Sequence, residues 1–308
     1  MNASPQVSVV MSVYNGAENL AETLDSILMQ EGCDFEFIVV DDGSTDATAN
    51  ILDAYANSDS RLKVLRQENK GLTRALINGC NLARGEFIAR QDAGDFSHSS
   101  RLKHQYEFLL NHPEAVMCAC AVEFIGPQME ALYTIAKQMK LLDQGLRQSG
   151  AISLKGPPHH GGTLFRRSAY INAGGYRPQF VVAQDIDLWI RLSECGECLG
   201  LMDVYYRARL DVAGISSRRR EEQIRLTELA LASAACRKKS ESDQKILDSF
   251  VVSPAPKLKV DRFEKARFNY FIASCLRQKG SKDARQYFLE ALRHNPFHLK
   301  ALVRLFQG

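Results

Sequence analysis

Along the first hundred residues, short apolar runs alternate with stretches of helical spacing. Val7–Val13 (VSVVMSV) is β-branched and almost wholly apolar, the pattern of a strand buried on both faces. Tyr14-Asn15-Gly16 interrupts it, and Leu20, Leu24, Ile27 and Leu28 then recur at helical intervals. Phe35–Val40 predicts a second strand ending at Asp41-Asp42-Gly43-Ser44. Thr45–Ala56 predicts a helix, with Ser44 or Thr45 as its N-cap. Leu62–Leu65, Leu72–Ala83 and Glu86–Ala89 continue as strand, helix and strand, the last stopping at Arg90-Gln91-Asp92. Such alternation predicts a mostly parallel α/β sheet with flanking helices, whose ligand lies beyond the carboxyl ends of the strands. Three polar clusters fall at those ends: Tyr14-Asn15, Asp41-Asp42 and Asp92-Ala93-Gly94-Asp95. Each alone is ordinary loop chemistry. Their shared position is the signal.

After Arg218-Arg219-Arg220 the pattern turns helical. Ile224, Leu226, Leu229, Ala230 and Leu231 predict an amphipathic helix, and Val252–Lys259, with Pro254 and Pro256, reads as a linker. Over residues 261–306, Phe268, Phe271, Gly280, Ala284, Phe288, Ala291 and Pro296 resemble the spacing of one tetratricopeptide hairpin; a generic helical pair covering the sheet domain fits equally. The expected division is therefore 1–217 and 218–308. Charge divides the chain the same way. Residues 1–217 carry 19 Lys/Arg against 26 Asp/Glu, and residues 218–308 carry 20 against 10. An acidic first part suits a bound cation. A basic tail suits an anionic membrane surface or protein partner, or serves solubility alone.

Composition narrows the function classes. With 308 residues, 45% hydrophobic and 24% charged, the chain reads as globular. No apolar run approaches the roughly 18 residues of a membrane span, and Met1–Gln6 lacks the features of a secretory signal. Eight scattered cysteines fit a reducing cytoplasm, and Cys195-x-x-Cys198 has no second pair to complete a zinc site. Neither G-x-G-x-x-G after the first strand nor a P-loop is present, which argues against a dinucleotide dehydrogenase or P-loop NTPase. No nucleic-acid partner is expected.

The segments VSVVMSVYNG (7–16), IVVDDGSTDAT (38–48), NKGLTRALINGC (69–80), GEFIARQDAGD (85–95) and QDIDLWIRL (184–192) together resemble glycosyltransferase family 2. The resemblance implies a GT-A fold over residues 7 to about 216. It also implies an inverting enzyme that moves a sugar from a nucleotide diphosphate, UDP-linked by expectation, to a hydroxyl. Ser12, Tyr14 and Asp42 would line the base pocket, with Asn69, Gly71 and Arg74 near the phosphates; Asp42 can alternatively cap its own turn. Asp92 and Asp95 would hold Mg²⁺ or Mn²⁺, Asp92 also facing the donor. Gly94 stands where the family carries a second aspartate; in an extended segment Asp95 would point away from Asp92, whereas a turn at Gly94 would swing it round. Asp185 would be the general base, with His160 and Trp189 on the acceptor side. Gly174-Gly175-Tyr176 and Tyr205-Tyr206-Arg207 match further family stretches, although Asp211 lies where a histidine often follows. The implied setting is surface polysaccharide or glycolipid assembly on a saccharide or lipid-linked acceptor, in the cytoplasm and peripherally at the inner membrane face. The departures leave two alternatives: a degenerate module that binds nucleotide sugar without turnover, and an adaptor acting through its tail.

Overall fold

The computed structural model describes residues 4–136, 158–212, 219–250 and 260–306. Arg218 and the linker expected at Val252–Lys259 lie outside them. β1 (Val7–Val13) is parallel to both β2 (Phe35–Asp41) and β4 (Phe87–Arg90), and β2 is parallel to β3 (Leu62–Arg66). Helices α1 (Leu20–Leu28), α2 (Thr48–Ser58) and α3 (Leu72–Leu82) make the crossovers. Helix α2 starts three residues later than its sequence suggests. Thr45 is drawn to Asn15, and Asp46 accepts from the Thr48 amide, so the chain first makes a side-chain-closed turn.

The run of parallel neighbours is interrupted after β4. Beyond it come β5 (Phe96–Ser97), α4 (Arg101–Asn111), β6 (Ala115–Ile125), β7 (Ala131–Ile135), a 3₁₀ turn (His160–Gly162) and β8 (Thr163–Arg166). They are followed by α5 (Arg167–Asn172), α6 (Gln184–Cys195), β9 (Glu197–Arg209), α7 (Arg220–Lys238) and α8 (Gln244–Ser249). β8 is antiparallel to β4 and β6, and β9 to β5, giving the order β3-β2-β1-β4-β8-β6-β9-β5 with β7 beside β6. The sheet is mixed: β1–β4 run parallel and β8 runs against both its neighbours, while bonds from the Glu197 amide to the Glu114 carbonyl and from the Leu210 amide to the Ile125 carbonyl pair β9 start to start and end to end with β6.

Alternation along the strands divides the core. Val7, Val9, Met11 and Val13 of β1 join Phe35, Phe37 and Val39 of β2 on one face. Val10 and Ile38 point to the other, where Leu188, Trp189 and Leu192 of α6 cover Phe165, Tyr170 and Met117. A third cluster seats Leu226, Leu229 and Ala230 of α7 on Phe180, Val182, Ile186 and Ile190.

Packing therefore divides the chain differently from a 217/218 boundary. The first unit comprises Met1–Val122, Ala136–Ala208 and Glu221–Val252. The second comprises Glu123–Ile135, Arg209–Arg220 and Ser253–Gly308. Helix α7 belongs to the first unit because its apolar stripe closes on α6. The second unit is a hairpin of α9 (Arg262–Gln278) and α10 (Ala284–His294), with α11 (Leu299–Phe306) following. Leu132 of β7, Ile272 and Leu276 of α9, Phe288 and Ala291 of α10 and Ala301 of α11 form its core, and an Asp261–Glu264 capping box starts α9. Among the described residues no helix is long and apolar enough to cross a membrane.

Candidate active site

The loops after β1 and β2 are laced together. Asn15, with φ of 50°, accepts from the Thr45 amide at 2.7 Å and donates its own amide to Ser44 Oγ at 2.9 Å. Gly16 donates to Thr48 Oγ1 and Ala17 to Asp46. Asp42 is buried. It accepts from Gln67 Nε2 at 2.7 Å and from the amides of Lys70 and Gly71 at 2.8 Å, so it shapes the loop that opens α3. Only one of those donors reaches Oδ2, and a carboxylate oxygen accepts two bonds, so capacity for a further donor remains. Tyr14 is 52% exposed on this rim, Ser12 is half-buried, and Asn69, Gly71 and Arg74 are exposed.

β1 separates β2 from β4, which places Asp42 and Asp92 two strand spacings, about 10 Å, apart along one sheet edge. Gly94 has φ of 96°, a conformation that glycine adopts without strain. It sits in a turn closed by the Asp95 amide on the Asp92 carbonyl at 3.3 Å, and its own amide donates to Thr23 Oγ1. Of the two outcomes open to this segment the turn is the one formed: Asp95 swings round, and one ligand atom each from Asp92, Asp95 and His159 lies within 4.8 Å of the others. Fully buried Tyr206, from β9, donates its hydroxyl to Asp95 Oδ2 at 2.9 Å and accepts from the Asp92 amide at 3.1 Å. Gly161 passes so close that a Cβ there would stand 1.9 Å from the Tyr206 hydroxyl oxygen. Only glycine fits.

Two fully buried arginines lie behind the cluster. Arg90 donates to Asp92 Oδ1 at 2.8 Å, to His160 Nε2 at 3.1 Å and to the Val10 carbonyl. Arg101 donates to Gln91, Ser97, Gln105 and the Arg90 carbonyl, under the Tyr206 ring. Burial opposes ionisation of Asp92, but Arg90, His160, His159 and Arg101 outweigh it and hold the carboxyl below its ordinary range. Burial likewise lowers His159, against the pull of Asp92, which keeps its imidazole neutral near pH 7.

Two acceptor-side expectations are corrected. Burial and the Arg90 charge hold His160 well below the ordinary histidine value, and its Nε2 lies within bonding distance of both Arg90 Nε and the Tyr176 hydroxyl, at 2.7 Å from the latter. It braces the arginine instead of meeting substrate. Trp189 is fully buried between Phe165 and His160, so it is core and no wall for a sugar.

Asp185 lies half-buried in the first turn of α6, after Ala183 in the left-handed region at φ 56°. Burial raises its carboxyl to about 6, with the Asp92 charge adding to the rise and Arg90 and two backbone amides opposing it. Trp189 of α6 packs edge-on against His160, with ring centroids 5.6 Å apart, and His160 is bonded to Arg90 at the end of β4, which brings α6 and the end of β4 together. Asp187 is instead committed to Arg191 at 2.5 Å and Arg177 at 3.5 Å.

Two carboxylates and a neutral imidazole form a donor set suited to a divalent cation; oxygen donors fit Mg²⁺ and Mn²⁺, and the imidazole tilts the set toward the transition metal. The sequence reading passed over His159, Arg90 and Tyr206. An arginine ending an apolar strand two residues before an aspartate was the available signal for Arg90. The His159-His160 pair gave no means of choosing between its members.

A sequence profile described as Glycosyl transferase family 2 matches residues 8–173. EpsE of Bacillus subtilis, named as a glycosyltransferase, is 32% identical over 243 residues, 77% of this chain and 84% of its own. The amylovoran biosynthesis glycosyltransferase AmsE of Erwinia amylovora is 29% identical over 217 residues, 69% of this chain and 79% of its own. In fold, residues 1–349 of Staphylococcus aureus TarS in complex with UDP match with a TM-score of 0.58 at 17% identity, covering 97% of this chain and 91% of that one. The same TarS residues in complex with UDP-GlcNAc match with a TM-score of 0.56 at 17% identity, over 97% and 92% of the two chains. The chain belongs to glycosyl transferase family 2, with a GT-A-like fold. It is a glycosyltransferase.

Proposed function

We propose that the chain transfers a sugar from a nucleoside diphosphate sugar to an acceptor hydroxyl with inversion, Asp185 acting as general base. What supports this is the place of Asp185: it lies in the first turn of α6, whose Trp189 packs on His160 beside the Arg90–Asp92 pair, and burial raises its carboxyl to about 6. As the acceptor oxygen bonds to the anomeric carbon, its proton passes to the Asp185 carboxylate. The bond from that carbon to the donor phosphate breaks, and the nucleoside diphosphate departs. A base near its operating pH serves this step best.

Asp92, Asp95 and His159 are the residues that would hold Mg²⁺ or Mn²⁺. A bound cation there supplies charge stabilisation for the departing diphosphate. Asp42 and Tyr14 seat the nucleotide base, with Ser12 beside them and Asn69, Gly71 and Arg74 along the phosphates. UDP is the favoured nucleotide because TarS, alike in fold, binds UDP and UDP-GlcNAc. A saccharide or lipid-linked acceptor in extracellular polysaccharide synthesis agrees with the relative named for amylovoran biosynthesis.

A thermal-shift panel of nucleoside diphosphates and their sugars, with and without Mn²⁺, tests the donor, because specific binding stabilises the folded state. Stabilisation by uridine compounds alone, increased by Mn²⁺, is the expected result. Donor binding without transfer to any saccharide acceptor would favour the binding-module alternative, which Gly94 motivates.

A further inference from the structure

The second unit carries an apolar face that its own core does not use. On α11, Ala301 is buried and Leu305 packs against the hairpin, while Leu299, Leu302, Val303 and Phe306 are exposed. Those four positions follow i, i+3, i+4, i+7, a single stripe on the side of the helix away from its buried residues. Leu299 is 71% exposed and Phe306 80%, and Phe297, just ahead of the helix, is 86% exposed. Isolated surface apolar residues are ordinary, but a continuous stripe with two phenylalanines marks an interaction surface.

Its surroundings are cationic. A groove of about 720 Å³ beside α11 has Phe288, Leu305 and Phe306 among its lining and Arg277, Lys282, Arg285 and Arg304 as its cations. Lys282, Arg285 and Arg304, like Lys300, have no acidic partner among the described residues. Residues 260–306 carry 10 Lys/Arg against 4 Asp/Glu.

Charge selects the occupant. A second copy docked stripe to stripe would bring like-charged rims together. A nucleic-acid backbone satisfies the cations and leaves the apolar stripe in water, as does a free phosphate. A bilayer containing anionic lipid satisfies both: phosphates meet the cations while the stripe enters the boundary between headgroups and acyl chains. We propose that α11 and the groove beside it seat the second unit on an anionic membrane surface. One short helix binds reversibly, and its affinity falls as salt rises.

The test uses the full chain and vesicles of phosphatidylcholine, alone or mixed with phosphatidylglycerol. The protein sediments with the mixed vesicles at low salt, about tenfold more tightly than with phosphatidylcholine alone, and is released near roughly 0.5 M salt. V303E and F306E each weaken this binding by about tenfold or more, and K282A/R285A by several-fold. All three positions sets are exposed, so thermal midpoints and the nucleotide-induced shift stay at wild-type values. Excess glycerol phosphate leaves the protein on the vesicles. Equal binding to both vesicle types, binding to neither, or wild-type binding by V303E and F306E overturns the proposal. So does a dimer in sedimentation velocity that F306E dissolves, because the face then belongs to a second copy. Vesicle binding is read without turnover, so it succeeds or fails independently of the assigned reaction.

Discussion

Burial that raises Asp185 to about 6 sets both a rate and a stability. As the proposed base Asp185 works ionised, so the transfer rate should be level above about pH 7 and fall about tenfold per unit well below 6. A titration of the rate that stays flat to pH 5 would remove Asp185 from the role. D185N should lower turnover about 10²–10⁴-fold while leaving the nucleotide-induced thermal shift intact. For stability, the folded value stands above the ordinary one near 3.9, so the group favours folding below that pH and loses the contribution as pH rises through about 6. D185N should therefore be the more stable protein near pH 7.5, by about 2 kcal/mol, with the gap closing near pH 4. Melting curves at the two pH values check this. His159 and His160 divide in another way. H159A should weaken Mn²⁺ binding in calorimetry and leave the fold intact. H160A should cost about 1–3 kcal/mol, because Arg90 and Tyr176 lose a buried partner. The aspartates were legible because each ends a strand or opens a helix. The choice between adjacent histidines was not, because it depends on which ring the 3₁₀ turn directs to the carboxylates.

Elements carry the site by closing on one another at close range. Tyr206 of β9 reaches the Asp92–Asp95 turn only because Gly161 leaves room for its hydroxyl. G161A should destabilise by about 1–3 kcal/mol as the strand or the turn shifts to relieve the overlap. It should also weaken Mn²⁺ binding, since Asp95 loses its donor; wild-type stability and affinity in chemical denaturation and metal titration would show that the two segments sit farther apart. The parallel strands were readable from their β-branched runs, since burial on both faces removes polar residues. The short strands β5 and β8, which pair antiparallel, were not. β5 has two residues and β8 four, too few for alternation to register, and their partners lie far along the chain.

For the whole molecule, α7 packs with the first unit. Leu226 is fully buried against the cluster that includes Ile186 and Ile190 of α6, the helix bearing Asp185. L226A should cost about 2–5 kcal/mol and lower the melting temperature of the full chain; a change under about 0.5 kcal/mol would place α7 outside that core. The change to a basic, helical sequence near residue 218 was legible. The ownership of α7 was not, because an amphipathic stripe does not name the surface it will cover. The Asp92 and Asp95 contacts to Tyr206 span 114 and 111 residues. A chain growing from its N-terminus exposes both aspartates long before the tyrosine that orders them exists, so the ribosome must release β9 before this cluster can settle. Premature termination anywhere upstream yields a product that cannot assemble this cluster, so an ordered Asp92–Asp95 turn certifies that synthesis has passed Tyr206.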